Sequence, residues 1–156
     1  MKVLILNKNK SEEILVSSYY SSLGLTIIKI EHLQSTVMGE NDITINFGKK
    51  EVKTDEELDG VIKINYSGRF DSIVINSQIE NTSEIFNFIK LYDKKINYSY
   101  ARMPILRQDL KNQHEIKFTV ITKHVPQVSS NVKFRATIIQ EHKEVADDVT
   151  FLKIVS

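Results

Sequence analysis

The spacing of hydrophobic and polar positions changes period several times along the chain, and each change marks an expected element. Val3-Leu4-Ile5-Leu6 is a short continuous apolar run, as in a strand covered on both faces. After the polar Asn7-Lys8-Asn9-Lys10, Ser11 stands as a helix cap with Glu12 and Glu13 in the first turn. Leu15, Tyr19 and Leu23 then recur at helical spacing along one face, and Gly24 follows where such a helix would end. Leu25 to Ile30 reads as the next strand, so the front of the chain is expected to be a β-α-β unit with two parallel strands and a right-handed crossover.

The pattern breaks from Glu31 to Asp42 and resumes as alternation in Ile43-Thr44-Ile45-Asn46-Phe47, a half-buried strand closed by Gly48. Lys49 to Asp59, almost wholly charged, is expected to be a surface excursion. Val61 to Tyr66 alternates again, and Ser67-Gly68 reads as a tight hairpin turn into a strand from Arg69 to Ile75. Asn81 to Tyr92 carries the strongest helical signature. Asn81 with Glu84 makes a capping-box pattern, and Ile85, Phe88, Ile89 and Tyr92 lie along one face. Met103-Pro104 forbids helix beyond it. Three alternating or apolar segments follow, at Ile116–Val120, Val132–Ile138 and Val149–Val155. The predicted fold class is therefore α/β passing into α+β: an N-terminal β-α-β unit with parallel strands, a central helix, and a C-terminal, mostly antiparallel sheet.

Composition narrows this picture. The 156 residues, 41% apolar and 26% charged, suit a single soluble domain over 1–156 that needs no staple to fold. With no cysteine, zinc-thiolate, iron–sulfur and disulfide designs are excluded. The N-terminal apolar run is too short for a signal peptide, and no run is long enough to span a membrane, so a cytoplasmic protein is expected. The net charge of +1 hides an uneven layout. Residues 1–89 carry nine Lys/Arg against thirteen Asp/Glu, residues 90–143 carry eleven against four, and the tail from Glu144 is again acidic. An acidic front, 1–89, is thus followed by a basic, strand-rich back, 90–156.

Several chemistries lack their residues. The glycines, at 24, 39, 48, 60 and 68, have neither the dinucleotide-binding nor the P-loop spacing, and there is no G-x-S-x-G elbow. His32, His114, His124 and His142 are scattered, with no metal-ligand spacing; His142 with Glu144 is the pair able to share a strand face. Asp55-Glu56-Glu57 and Asp147-Asp148 could offer oxygens to a hard cation but have the character of solvated loops. No catalytic and no metal-binding residue is assigned. The basic segment is more informative, because Tyr92, Tyr98 and Tyr100 are interleaved with its cations. The candidate ligand- or partner-binding residues are Lys94, Lys95, Arg102, Arg107, Lys117, Lys133 and Arg135, the last three expected to share one strand face. Cations with exposed rings suit phosphate and base, or an acidic surface.

Val3–Asn7, Ile43–Gly48 and Ile73-Val74-Ile75-Asn76, the last running into a helix and Lys94-Lys95, resemble the front half of ATP-grasp ligases of the glutamate-ligase-like type. Met103-Pro104 falls where that family has a proline. Lys133-Phe134-Arg135-Ala136-Thr137-Ile138 resembles its Glu-Phe-Arg strand, with lysine in place of the acid. The resemblance implies an ATP-dependent ligase or nucleotide-binding protein using ATP and magnesium, with Lys94, Lys95 and Arg135 on phosphate. The phosphate-closing glycine loop and the magnesium-holding Glu-x-Asn pair are missing, so it implies a shortened, inactive relative that kept a binding surface.

The expected function is a non-catalytic accessory or inhibitor protein without a cofactor. Its basic second half would bind an acidic partner, either a protein surface or single-stranded nucleic acid or nucleotide. The Lys-, Asn- and Ile-rich composition suggests a bacteriophage, and so viral, or low-GC bacterial origin.

Overall fold

The computed structural model describes residues 15–20, 26–31, 41–111 and 114–156, and the chain divides into two compact units, residues 1–40 and 41–156. In the first unit, β1 (Leu15–Tyr20) pairs antiparallel with β2 (Thr26–Glu31). The expected strand at 3–6 and His32 lie outside the described residues. The expected helix from Ser11 is replaced over Leu15–Tyr20 by a strand. Val16-Ser17-Ser18-Tyr19-Tyr20 is poor in strong helix formers and rich in residues that suit a pleated surface. The link from Tyr20 to Thr26 is also too short for the crossover that parallel strands require.

The second unit is a two-sheet sandwich. Sheet 1 contains β3 (Ile43–Phe47), β5 (Leu58–Ile64), β7 (Phe86–Leu91), β8 (Lys94–Tyr98) and β10 (Glu115–Thr122), in the order β3-β5-β10-β7-β8. Sheet 2 contains β4 (Glu51–Lys53), β6 (Ser72–Ile79), β9 (Arg102–Leu106), β11 (Ser130–Gln140) and β12 (Lys143–Val155), in the order β4-β12-β11-β6-β9. Every pairing is antiparallel except that of β4 with β12. One 3₁₀ turn, Arg107–Asp109, is the sole helical element among the described residues. The fold class is therefore all-β, which overturns the α/β and central-helix expectations.

The segment expected to form the central helix shows why. Phe86 and Phe88 are both fully buried and stand two residues apart, on one face of a strand but on opposite sides of a helix. Burying both rings, at about 1.5–3 kcal/mol each, outweighs the helical periodicity. Asn81, the expected cap, has φ 59°, whereas a helix N-cap needs an extended backbone. Glu84 N–H instead donates to Thr82 Oγ1 in a local turn. Tyr92, at φ 52°, turns the chain from β7 into β8.

Two smaller expectations are also corrected. Ser67-Gly68 does not close a hairpin, because β5 and β6 lie in different sheets and the connection passes between them. The charged stretch 49–59 is not wholly a surface excursion. Val52 is buried on β4, and Leu58 opens β5 in the core. The expected strands at 43–47, 116–120, 132–138 and 149–155 are present as β3, β10, β11 and β12.

Inward residues of the two sheets meet in a core centred on aromatic rings. Phe47 packs against Phe134 at 4.6 Å between centroids and edge-on to Phe118 at 5.7 Å, and Phe86 lies 5.2 Å from Phe134. One side of the sandwich is closed where Ile45 N–H of β3 donates to Asp148 Oδ2 of β12 at 2.8 Å. The opposite side is flanked by β8 and β9, each the last strand of its sheet.

Candidate functional site

Sheet membership decides where the basic residues go. Lys117 is exposed on β10, between the inward-facing Ile116 and Phe118, and so lies on the outer face of sheet 1. Lys133 and Arg135 occupy the corresponding outward positions of β11, in sheet 2. The expected common face for 117, 133 and 135 is split, because β10 and β11 belong to different sheets and their outer faces point away from each other. Arg107 opens the 3₁₀ turn, where its guanidinium stacks 5.2 Å from the Phe70 ring centroid and its backbone N–H bonds Asp71 O at 3.0 Å.

Lys94, Lys95 and Arg102 remain together on the side flanked by β8 and β9. Residues 99–101 carry the chain directly from one edge strand to the other. That short link is held by Ser77 N–H donating to Ala101 O at 2.9 Å and by Tyr98 O–H donating to Arg102 O at 2.8 Å. The Tyr98 ring stacks edge-on against Tyr100 at 5.4 Å, and Tyr100 is 68% exposed. Between the two strands lies a cavity of about 420 Å³. Leu91, Ile96, Met103 and Ile105 give it an apolar floor, and Lys94, Lys111 and Asp109 stand among its polar lining groups. Lys111 pairs with Asp93 at 3.7 Å and stacks over the Tyr92 ring at 5.7 Å.

Electrostatic pairing separates these cations from Arg135, Lys90, Lys117, Lys49 and Lys123, though not from Lys50, Lys53, Lys63, Arg69, Lys143 and Lys153, which likewise have no carboxylate among the described residues. Arg135 bonds Glu144 at 2.7 Å and Asp147 at 3.1 Å, and these two hydrogen bonds, Glu144's first, push its guanidinium above its ordinary value. Lys90 bonds Glu57 at 3.0 Å and is likewise held above the usual ammonium range, while Lys117 pairs with Glu115 at 3.5 Å. Lys49 holds Glu56, and Lys123 holds Asp55. Lys94, Lys95, Arg102 and Lys133 have no carboxylate partner among the described residues. Lys133 stands opposite Phe151 in the β11–β12 register, and Phe151 is 63% exposed on the outer face of sheet 2.

The acidic clusters are engaged inside the fold. Asp55, Glu56 and Glu57 each face a lysine, Asp147 serves Arg135, and Asp148 ties the two sheets together. Glu141 and His142, at φ 49° and 64°, form the mirror-image turn of the β11–β12 hairpin, so His142 serves a turn rather than a strand face. Among the described residues no group of three or more His, Asp or Glu side chains converges as a metal site, and no helix is long and apolar enough to cross a membrane. The cavity between β8 and β9 had no counterpart in the sequence reading. Its one local signal is the alternation of Met103 and Ile105 around Pro104.

The fold defines this chain's second unit as a β-sandwich. No protein-family model matches the chain, and no curated protein matches it. Among solved structures it is similar to the human F-spondin reeler domain (10% identity, TM-score 0.45, 74% of this chain and 91% of that one). It is also similar to a conjugative transposon lipoprotein from Bacteroides eggerthii (9% identity, TM-score 0.46, 74% and 98%) and to a lipoprotein from Bacteroides thetaiotaomicron (10% identity, TM-score 0.44, 81% and 88%). At these values the likenesses carry nothing about function.

The ATP-grasp resemblance is overturned. Ile73–Asn76 does not run into a helix, and the segments that suggested an α/β ligase form a strand sandwich. Arg135, expected on phosphate, is engaged by two carboxylates. Nothing in the matched structures supports the bacteriophage origin suggested by composition.

Proposed function

We propose that this chain is a non-catalytic binding protein that takes an acidic partner protein on the side of its sandwich between β8 and β9. The observation that carries this reading is the contrast in pairing. Lys49, Lys90, Lys117, Lys123 and Arg135 each have a carboxylate, whereas Lys94, Lys95 and Arg102 have none among the described residues, and Lys94 lines an apolar-floored cavity between the strands that carry them. Unpaired cations around an apolar depression give both the charge and the buried contact that a docking surface uses. The exposed Tyr100 near Arg102 favours a second reading, single-stranded nucleic acid with a base on the ring. The cytoplasmic setting expected from the sequence goes with the proposal and rests on the sequence alone.

The test is fluorescence anisotropy with poly-glutamate and with an oligo-dT probe over a salt series. Poly-glutamate binding that weakens about tenfold in Lys94→Glu/Lys95→Glu, and is unmoved by Lys117→Glu, is the expected result. Preference for oligo-dT, lost in Tyr100→Ala, would shift the reading to nucleic acid. Binding equally sensitive to Lys117→Glu would remove the assignment to this side.

A further inference from the structure

The two sheets of the sandwich end in four edge strands, and three of them are closed to further pairing. On β3, the Ile45 N–H is already taken by Asp148 Oδ2. β4 is three residues long. β9 holds Pro104 at its centre, which has no N–H to give. β8 differs from all three. It has five residues and no proline, and among the described residues it pairs only with β7 and no side chain bonds its backbone. An unblocked edge of this kind presents a row of N–H and C=O groups to a further strand.

Side chains on β8 restrict which strand that is. Lys94 and Lys95 are both exposed, and β8 itself carries no acidic residue, so a second copy pairing through β8 would offer neither lysine a carboxylate. An acidic strand meets the opposite situation. Ile96 follows on the same strand and faces the cavity of about 420 Å³ whose floor also includes Leu91, Met103 and Ile105. Neighbouring Asp93 and Asp109 reduce the local positive charge without cancelling it: Asp93 is turned to Lys111, and neither is paired with Lys94 or Lys95.

We infer that β8 receives an extended acidic segment of a partner protein as an added strand, its carboxylates alternating with apolar side chains, the former on the face of Lys95 and the latter on the face of Ile96, over the cavity that Lys94 rims. This rests on the acidic-partner reading and adds its mode. Main-chain hydrogen bonds to β8 supply affinity, and the period of two along the added strand supplies selection for acid on one face and apolar on the other. The same lysines favour an acidic strand over a second copy, whose β8 has no acid to set beside them.

The test uses the full chain with a short, capped, fluorescein-labelled peptide alternating Glu and Leu, and a series in which each backbone nitrogen in turn is methylated. A strand in a ladder points every second N–H at its neighbour. The expected result is therefore a loss of about tenfold or more at every second methylated position and little loss between, together with a loss of about tenfold in Lys94→Glu/Lys95→Glu. Peptide binding that is equally tolerant of methylation at every position, yet still lost on charge reversal, would overturn strand addition and leave the acidic-partner reading standing. Binding of poly-glutamate without binding of the alternating peptide would overturn it in the same way. Binding of oligo-dT in preference to either acidic probe would overturn both readings, as would no binding at all.

Discussion

Gly60 gives a direct test of how the sandwich is packed. It sits inward on β5, opposite Phe118 of β10 on one side and Phe47 of β3 on the other. The Phe118 ring lies across it: a Cβ at residue 60 would stand 2.3 Å from Phe118 Cζ and 2.8 Å from both Cε atoms. Carbon atoms prefer about 3.5–4.0 Å, so in Gly60→Ala the ring must retreat by about an ångström. It has little room, because Phe47 lies 5.7 Å away and Phe88 5.9 Å away, and Phe118 is itself almost fully buried. Forced overpacking of this kind costs about 1–3 kcal/mol. We expect the upper half of that range, with a fall in melting temperature of about 4 °C per kcal/mol for a unit of this size. Phe118→Leu removes the colliding ring atoms and leaves a cavity of its own, at about 1–2 kcal/mol. The double variant should then be more stable than the sum of the two costs allows, by about 1 kcal/mol or more. Urea unfolding followed by far-UV circular dichroism and tyrosine emission measures all four chains. A Gly60→Ala midpoint equal to the parent's, or costs that add within about 0.5 kcal/mol, would refute the packing described.

Three other substitutions probe the surface and the sheet faces. Arg135→Ala removes two partly exposed ion pairs and should cost under about 1 kcal/mol in urea unfolding, less still at high salt; a larger, salt-independent loss would contradict this. Glu56, whose carboxyl is held below its ordinary value first by the Lys49 hydrogen bond and then by Lys53 N–H, stabilises the fold above the unfolded-state carboxylate value and loses that contribution as pH falls through its own lower one. Glu56→Gln should accordingly unfold earlier than the parent at neutral pH and converge with it in acid, and a gap that persists in acid would count against the assignment. Thr137, buried on the outward side of β11, has a hydroxyl with no protein partner among the described residues, so Thr137→Val should raise the urea midpoint by the equivalent of about 1 kcal/mol; a lower midpoint would show that the hydroxyl is satisfied.

Strict alternation made β3, β10 and β11 legible from the sequence, because Ile43/Ile45/Phe47, Ile116/Phe118/Val120 and Val132/Phe134/Ala136/Ile138 each bury every second residue. β7 was obscured by a coincidence of spacing. Ile85, Phe88, Ile89 and Tyr92 fit a helical face, but the decisive pair is Phe86 with Phe88, and a register shift between Phe88 and Lys90 further disturbs the two-residue period. β4 was hidden because Val52 is a single apolar residue among charges and is buried only through its partner β12. In each of the missed elements the controlling contact is made with a strand distant in sequence, and local periodicity contains no record of it.

Pairing with distant strands also decides where the basic segment's cations go. Between residues 90 and 143 the chain visits sheet 1 on β7, β8 and β10 and sheet 2 on β9 and β11, so its excess of cations is divided among two outer faces and one side. Lys117 and Arg135 were legible as cations, but their separation follows from which neighbours β10 and β11 pair with, and so does the supply of carboxylates that neutralises them. Within this segment, cations from two strands reach one side where consecutive strands are both last in their sheets. β8 and β9 meet that condition, and residues 99–101 are short enough to hold Lys94, Lys95 and Arg102 on the same side. A charge run in a two-sheet protein thus becomes a surface patch when the chain turns across an edge, and is dispersed when it turns within the middle of the sheets.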